Sequence, residues 1–159
     1  MLLKLLPSMV FLLFVFGTST HSYSQTDNQV KPLQQIFFDA NVASPLTQKE
    51  LGFIREVYGD NSESDILNRP QRLKDVKNIL RNRVEFMHAP NKDLSSFAKL
   101  SSVPLFDFYN KSLTRDVILD KTNFNPLKYQ FAFDSRQKTK MYLFDNSSYL
   151  VVIKSQNPQ

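Results

Sequence analysis

The chain of 159 residues contains no cysteine and only three glycines. Without cysteine it can form no disulfide, no thiol nucleophile, no lipid-modified cysteine and no cysteine-ligated metal site. Only Gly52 and Gly59 lie beyond the N-terminal segment, too few for the glycine-rich phosphate loops of nucleotide-binding proteins. Asparagine and aspartate must therefore supply most of the backbone positions that need a positive φ.

The first 24 residues have the layout of a secretory signal peptide. Lys4 precedes an apolar stretch, and Ser22 and Ser24 stand at the −3 and −1 positions of a cut before Gln25. The apolar stretch is too short for a membrane anchor, because a span needs about 20 apolar residues. We therefore expect an exported protein, periplasmic or secreted, that does not span the membrane after cleavage.

The remainder of the chain predicts one α+β domain. We assign residues 25–44 to an extended N-terminal arm, residues 45–154 to the domain and residues 155–159 to a short tail. A domain of this length can bury a hydrophobic core without disulfide bonds. Two to three N-terminal helices followed by a C-terminal antiparallel β-meander are the predicted fold.

The first helix is predicted over residues 48–58, within "SPLTQKELGFIREVYG". Thr47 and Glu50 have the spacing of a capping box, in which each side chain accepts a hydrogen bond from the other's backbone N–H. Gly59 suits the left-handed stop that follows many helices.

A second helix is predicted in "NRPQRLKDVKNILRNRVEFM", where Pro70 falls in the first turn and "HAP" ends the helix. Its apolar residues recur at helical spacing and form one stripe: Leu73, Val76, Leu80, Val84 and Met87. Asn91 can cap a shorter third helix in "KDLSSFAKL".

The C-terminal part predicts short aromatic strands in "KYQFAF", "KMYLF" and "SYLVVI". A four-residue turn at "DNSS" sets Leu143 opposite Leu150 and Phe144 opposite Tyr149. "SYLVVI" is apolar on both faces, which predicts a central strand with a second neighbour in "DVIL", in "QIFF" or in a partner. We favour pairing within the chain, because long free apolar edges aggregate.

The sequence predicts no catalytic residue, no metal site and no cofactor. Beyond the signal segment the only histidine is His88, so a two-histidine metal site would need two chains. Ser96 and Lys99 match an S-x-x-K spacing, but the partner motifs of that enzyme class are absent.

The candidate binding residues are Lys74, Lys77 and Arg81. They lie on one flank of the predicted second helix, within residues 69–83, which hold six basic residues and one acid. Such a strip attracts phosphate or carboxylate polymers, lipid head groups or an acidic partner, although an ordinary solvated helix face has the same pattern. Nucleic acid is not expected, because the protein is exported and the strip lacks interleaved aromatics.

Four phrases of the second half resemble small uncharacterised exported proteins of Bacteroidota. They are "RLKDVKNILRNRVE", "NKDLSSFAKLSSVPLF", "FNPLKYQF" and "DNSSYLVVIKSQ". The resemblance covers roughly residues 72–156 and implies export, but it brings no activity, cofactor or site.

The function favoured by the sequence is that of an exported, non-enzymatic envelope protein that binds another macromolecule. The partner is either another envelope protein or an anionic envelope polymer. The alternative is a small hydrolase that acts on an envelope polymer. A pocket with converging carboxylates favours the hydrolase, whereas a flat apolar or basic patch favours binding.

Overall fold

Helix α1 spans Gln48–Tyr58 and has the predicted capping box. The backbone N–H of Glu50 donates to Oγ1 of Thr47 at 3.2 Å, and the N–H of Thr47 donates to the Glu50 carboxylate at 2.8 Å. The helix ends at Gly59 as predicted, and Gly59 has the positive φ, +52°, that glycine allows, but its ψ of −131° is not that of the expected left-handed stop. The structure is a computed structural model that describes residues 38–90, 92–133 and 138–156.

The second helix is shorter than predicted. Helix α2 spans Pro70–Asn78, a π-helical turn follows over Ile79–Arg83, and the chain then enters strand β1, Val84–His88. The prediction of a helix up to "HAP" is therefore wrong at its C-terminal end. The physical reason is that Val84–His88 pairs along its whole length with the last strand, and these tertiary contacts override a helical pattern.

Within the described residues the sheet has four strands in the order β1–β4–β3–β2. The other strands are β2 (Ala98–Lys99), β3 (Lys140–Leu143) and β4 (Tyr149–Ile153). Strand β4 is antiparallel to both β1 and β3, whereas β2 runs parallel to β3. The α+β class is confirmed, but the sheet is mixed instead of a purely antiparallel meander, because β2 joins the edge without a hairpin.

The hairpin between β3 and β4 has the predicted register. Leu143 lies opposite Leu150, and the N–H of Phe144 donates to the carbonyl of Tyr149 at 2.9 Å. Asn146 has a φ of +55° in the turn, as expected in a glycine-poor chain. Pairing of the last strand within the chain is confirmed. Its second neighbour is β1, however, instead of any of the three expected ones, "DVIL", "QIFF" or a strand of a partner.

Two further elements differ from the sequence prediction. Instead of the third helix, the described residues between 92 and 99 form turns and strand β2. The predicted "KYQFAF" strand is reduced to a single bridge between Leu105 and Tyr129, which follows a 3-10 turn at Pro126–Lys128. The predicted connection between "KYQFAF" and "KMYLF" is "DSRQKT", residues 134–139, of which residues 134–137 lie outside the described residues.

The core consists of two apolar clusters. One lies on the sheet and contains these buried residues: Leu100, Val103, Phe124, Tyr129, Phe131, Phe144, Val151 and Ile153. The other lies under the two helices and contains Ile54, Val57, Ile66, Val76, Leu113 and Leu127. Leu105 packs against both clusters and so connects the sheet with the helices.

Residues 40–44, assigned above to an extended arm, pack on the domain. Ala40–Ala43 form a 3-10 turn in which Val42 is buried. No helix in the described part of the chain combines the length and apolar character that crossing a membrane requires. The predicted signal peptide, residues 1–24, lies outside the described residues.

Candidate functional site

The three predicted binding residues do not form one exposed strip. Lys74 is exposed on α2, but Lys77 is only 8% exposed. The ammonium group of Lys77 donates to the carbonyls of Ser44 at 2.7 Å and of Val42 at 3.1 Å. Lys77 therefore holds the segment before α1 against α2, and its charge does not face solvent.

Arg81 is also used inside the protein. Its guanidinium donates to both carboxylate oxygens of Glu50, at 2.6 and 2.7 Å, and to the carbonyl of Pro45 at 2.8 Å. The Arg81 side chain is 12% exposed. Its hydrogen bonds lower the pKa of Glu50 from 4.5 to about 2, with help from Thr47. Of the three predicted cations, only Lys74 is available to an anionic partner.

The strongest exposed apolar feature is a pair of adjacent side chains in the loop of residues 114–120. Val117 is 87% exposed and Ile118 is 82% exposed, the two highest values among the large apolar side chains that are described. A single exposed apolar residue is ordinary, but here two branched apolar residues adjacent in sequence are both exposed. We call this pair the apolar tip.

The first half of the loop is fixed by Asp116, directly before the apolar tip. The Asp116 carboxylate accepts hydrogen bonds from the Tyr129 hydroxyl and from the Lys128 ammonium group, both at 2.8 Å. The backbone N–H of Asp116 donates to the same hydroxyl at 3.0 Å. Burial raises the pKa of Tyr129 still further above neutral pH than its ordinary value, so the hydroxyl is protonated and can donate to the Asp116 carboxylate. Lys128 is buried, and its Nζ also lies 3.8 Å from Oε1 of Glu56 in α1.

The second half of the loop is fixed by Asp120. Its carboxylate accepts hydrogen bonds from the backbone N–H of Thr122 at 2.9 Å and from the side-chain amide of Asn123 at 2.6 Å. These hydrogen bonds lower the pKa of Asp120 below its ordinary value, and the bond from the Asn123 side chain has the largest effect. Leu119 packs against the sheet cluster. Both aspartates of "DVILD" are thus hydrogen-bonded within the protein, and an ordered loop presents two apolar side chains to solvent.

The sequence prediction missed this site because it assigned "DVIL" to a strand. The signal was nevertheless present, since three apolar residues stand between two aspartates, a residue type that favours turns. A short apolar run looks the same in a buried strand and in an exposed loop.

The one histidine outside the predicted signal segment, His88, forms no catalytic triad within the described residues. Nε2 of His88 lies 2.9 Å from Oγ of Ser148, and its ring stacks on Tyr149 with 4.5 Å between centroids. Within the described residues no carboxylate hydrogen-bonds to the His88 ring, and no cluster of metal-binding side chains is present. Lys99 lies in a strand, so the helical spacing from Ser96 is not formed.

Comparison of the chain with protein-family models, curated proteins and solved structures gave no match. The resemblance to exported Bacteroidota proteins therefore stays a prediction, and the function is argued from the geometry.

Proposed function

We propose that this is an exported, non-enzymatic envelope protein that binds a second envelope protein through the apolar tip. The observation that supports the proposal is the near-complete exposure of Val117 and Ile118 on a loop fixed at Asp116 and Asp120. Burying apolar surface contributes roughly 25 cal/mol per Å². A loop that is already ordered loses little conformational entropy on binding.

The chemistry of the loop favours a protein partner over an anionic polymer. An anionic polymer needs a row of exposed cations, and the row predicted on the second helix is not formed, because Lys77 and Arg81 are bonded internally. An apolar pair instead suits a pocket on a partner protein, where a few well-packed side chains carry most of the binding free energy.

Affinity capture tests the proposal. The tagged protein should retain one stoichiometric partner from envelope extracts of its own host, and the V117S/I118S double variant should retain at least about tenfold less. Met141 on β3, 37% exposed, provides the matched control M141S. Equal capture by wild type and the double variant would overturn the proposal.

Export rests on the predicted signal peptide and is tested separately. N-terminal sequencing of protein from the native host should start at Gln25, within two residues. An intact Met1 in an integral membrane fraction would contradict export.

The hydrolase is supported by one observation, the contact between Ser148 and His88 at 2.9 Å. A serine activated by histidine reacts with fluorophosphonate probes. We expect no labelling, because no described carboxylate orients the ring. Labelling of wild type that is lost in S148A would replace the binding proposal with a hydrolase.

A further inference from the structure

A second candidate site is a pocket between the first turn of α1, strand β1 and residues 121–126. Its volume is about 280 Å³. The floor is apolar and consists of Phe53, Leu80, Val84, Phe86, Phe124 and Pro126. The polar rim consists of Thr47, Lys49, Glu50, Lys121 and Thr122. None of these residues belongs to the apolar tip.

The floor is held in shape by the core. Phe124 is buried and packs edge-to-face on Phe86, with 5.3 Å between ring centroids. Phe124 also stacks on Tyr129, with 5.4 Å between ring centroids. Phe86 and Val84 are only partly buried, so they leave apolar surface that a ligand can cover.

The rim has an excess of positive charge. Glu50 is neutralised by the two hydrogen bonds from Arg81. Lys49 donates to the carbonyl of Thr122, and the Lys121 ammonium group lies 4.0 Å from the centroid of the Tyr149 ring. Neither lysine forms an ion pair with the carboxylates of the described residues. The charge of Lys49 does act on the Asp120 carboxylate, whose pKa it helps to lower, but neither lysine is in contact with a described carboxylate, so an anion at the rim would meet two cations.

We propose that this pocket binds a small amphiphilic anion, with its apolar body on the phenylalanine floor and its acidic head group at Lys49 and Lys121. A medium-chain carboxylate has this chemistry. Pockets for drug-sized ligands measure roughly 300–1,000 Å³, so the volume of about 280 Å³ indicates a smaller molecule. The charge of the head group supplies selectivity, because a charge-assisted hydrogen bond is stronger than a neutral one.

Calorimetric titration of the purified protein with octanoate tests this proposal. Octanol supplies the same chain without the charge, and octyltrimethylammonium supplies it with the opposite charge. We expect octanoate to bind, octanol to bind about tenfold more weakly, and the cation not to bind. The K49Q/K121Q double variant should lose the preference for octanoate over octanol. K74Q, which removes an exposed lysine elsewhere, should leave all affinities unchanged.

The proposal is overturned by any of three results. These are no octanoate binding at millimolar concentration, equal binding of octanoate and octanol, or unchanged octanoate affinity in K49Q/K121Q. Both lysines are exposed, so the double variant should fold, and its melting temperature checks this directly. The outcome is independent of the apolar tip, since the titration contains no protein partner.

Discussion

The hydroxyl of Tyr129 forms two hydrogen bonds with Asp116. It accepts one from the backbone N–H of Asp116 at 3.0 Å and donates one to the Asp116 carboxylate at 2.8 Å. Asp116 directly precedes Val117, so one core tyrosine fixes the backbone and the side chain at the foot of the apolar tip. Tyr129 is in turn packed between Phe124 and Phe131, each with 5.4 Å between ring centroids. The loop is thereby connected to the sheet cluster.

The first prediction concerns this connection. Y129F should lower the free energy of unfolding by about 1 kcal/mol, because Asp116 loses two hydrogen-bond contacts in a partly buried place. It should also speed amide hydrogen exchange in residues 114–120. Y142F is the matched control, since the Tyr142 hydroxyl has no hydrogen-bond partner among the described residues. Unchanged exchange in Y129F would show that the loop is ordered by other contacts.

The second prediction separates two lysines of the same helix. K77E should lower the free energy of unfolding by about 3 kcal/mol or more, because it places an uncompensated charge beside the Val42 and Ser44 carbonyls. K74E should change it by no more than about 0.5 kcal/mol, as an exposed substitution usually does. Urea unfolding of both variants is the measurement. Equal stability would mean that Lys77 faces solvent.

The third prediction follows from the low pKa of Glu50. The pKa of Glu50 is about 2 in the folded protein, whereas its ordinary value is 4.5. The charged carboxylate therefore stabilises the folded state above about pH 4.5. This contribution to the free energy of unfolding decreases as the pH falls from 4.5 towards 2. At about pH 2 Glu50 becomes protonated in the folded protein as well, and the contribution is lost.

Urea unfolding between pH 6 and pH 2.5 checks this sign. Wild type should lose stability more steeply on acidification than E50Q, which cannot lose a charge at that position. E63Q is the control, because Glu63 is exposed and forms no ion pair with described residues. It should lose stability on acidification as steeply as wild type. Parallel curves for wild type and E50Q would contradict the stabilising role of the Glu50–Arg81 pair.

The sequence correctly predicted those elements whose structure depends on residues that are close to one another in the chain. Thr47, Glu50 and Gly59 determined both ends of α1, and they did so through caps that act within one turn. The β3–β4 register followed from matching apolar residues across a four-residue turn, with Leu143 opposite Leu150. In both cases the interacting residues are close in sequence.

Features that depend on distant segments could not be predicted in this way. Val84 and Met87 continue the helical stripe of α2, yet they lie in β1 because β4 supplies backbone partners from the far end of the chain. The burial of Lys77 depends on the carbonyls of Val42 and Ser44, which only the folded chain brings near. The exposure of Val117 likewise depends on Asp116 reaching Tyr129.

The fourth prediction compares one substitution at two valines. Val151 is fully buried in the central strand, and V151D should be severely destabilising because it buries an unpaired charge. V117D, at the 87% exposed position, should change the melting temperature little. Thermal unfolding of the two variants is the test. A V151D variant that melts like wild type would mean that β4 is not a core strand.

Site-specific photo-crosslinking in the native host tests the role of the apolar tip most directly. With p-benzoylphenylalanine at Ile118, we expect one defined protein adduct in the envelope fraction, and with the same group at exposed Lys74 we expect none. V117S in the same chain should remove most of the adduct. The same adducts from both positions, adducts to lipid alone, or no adduct at Ile118 would contradict a protein partner at the apolar tip.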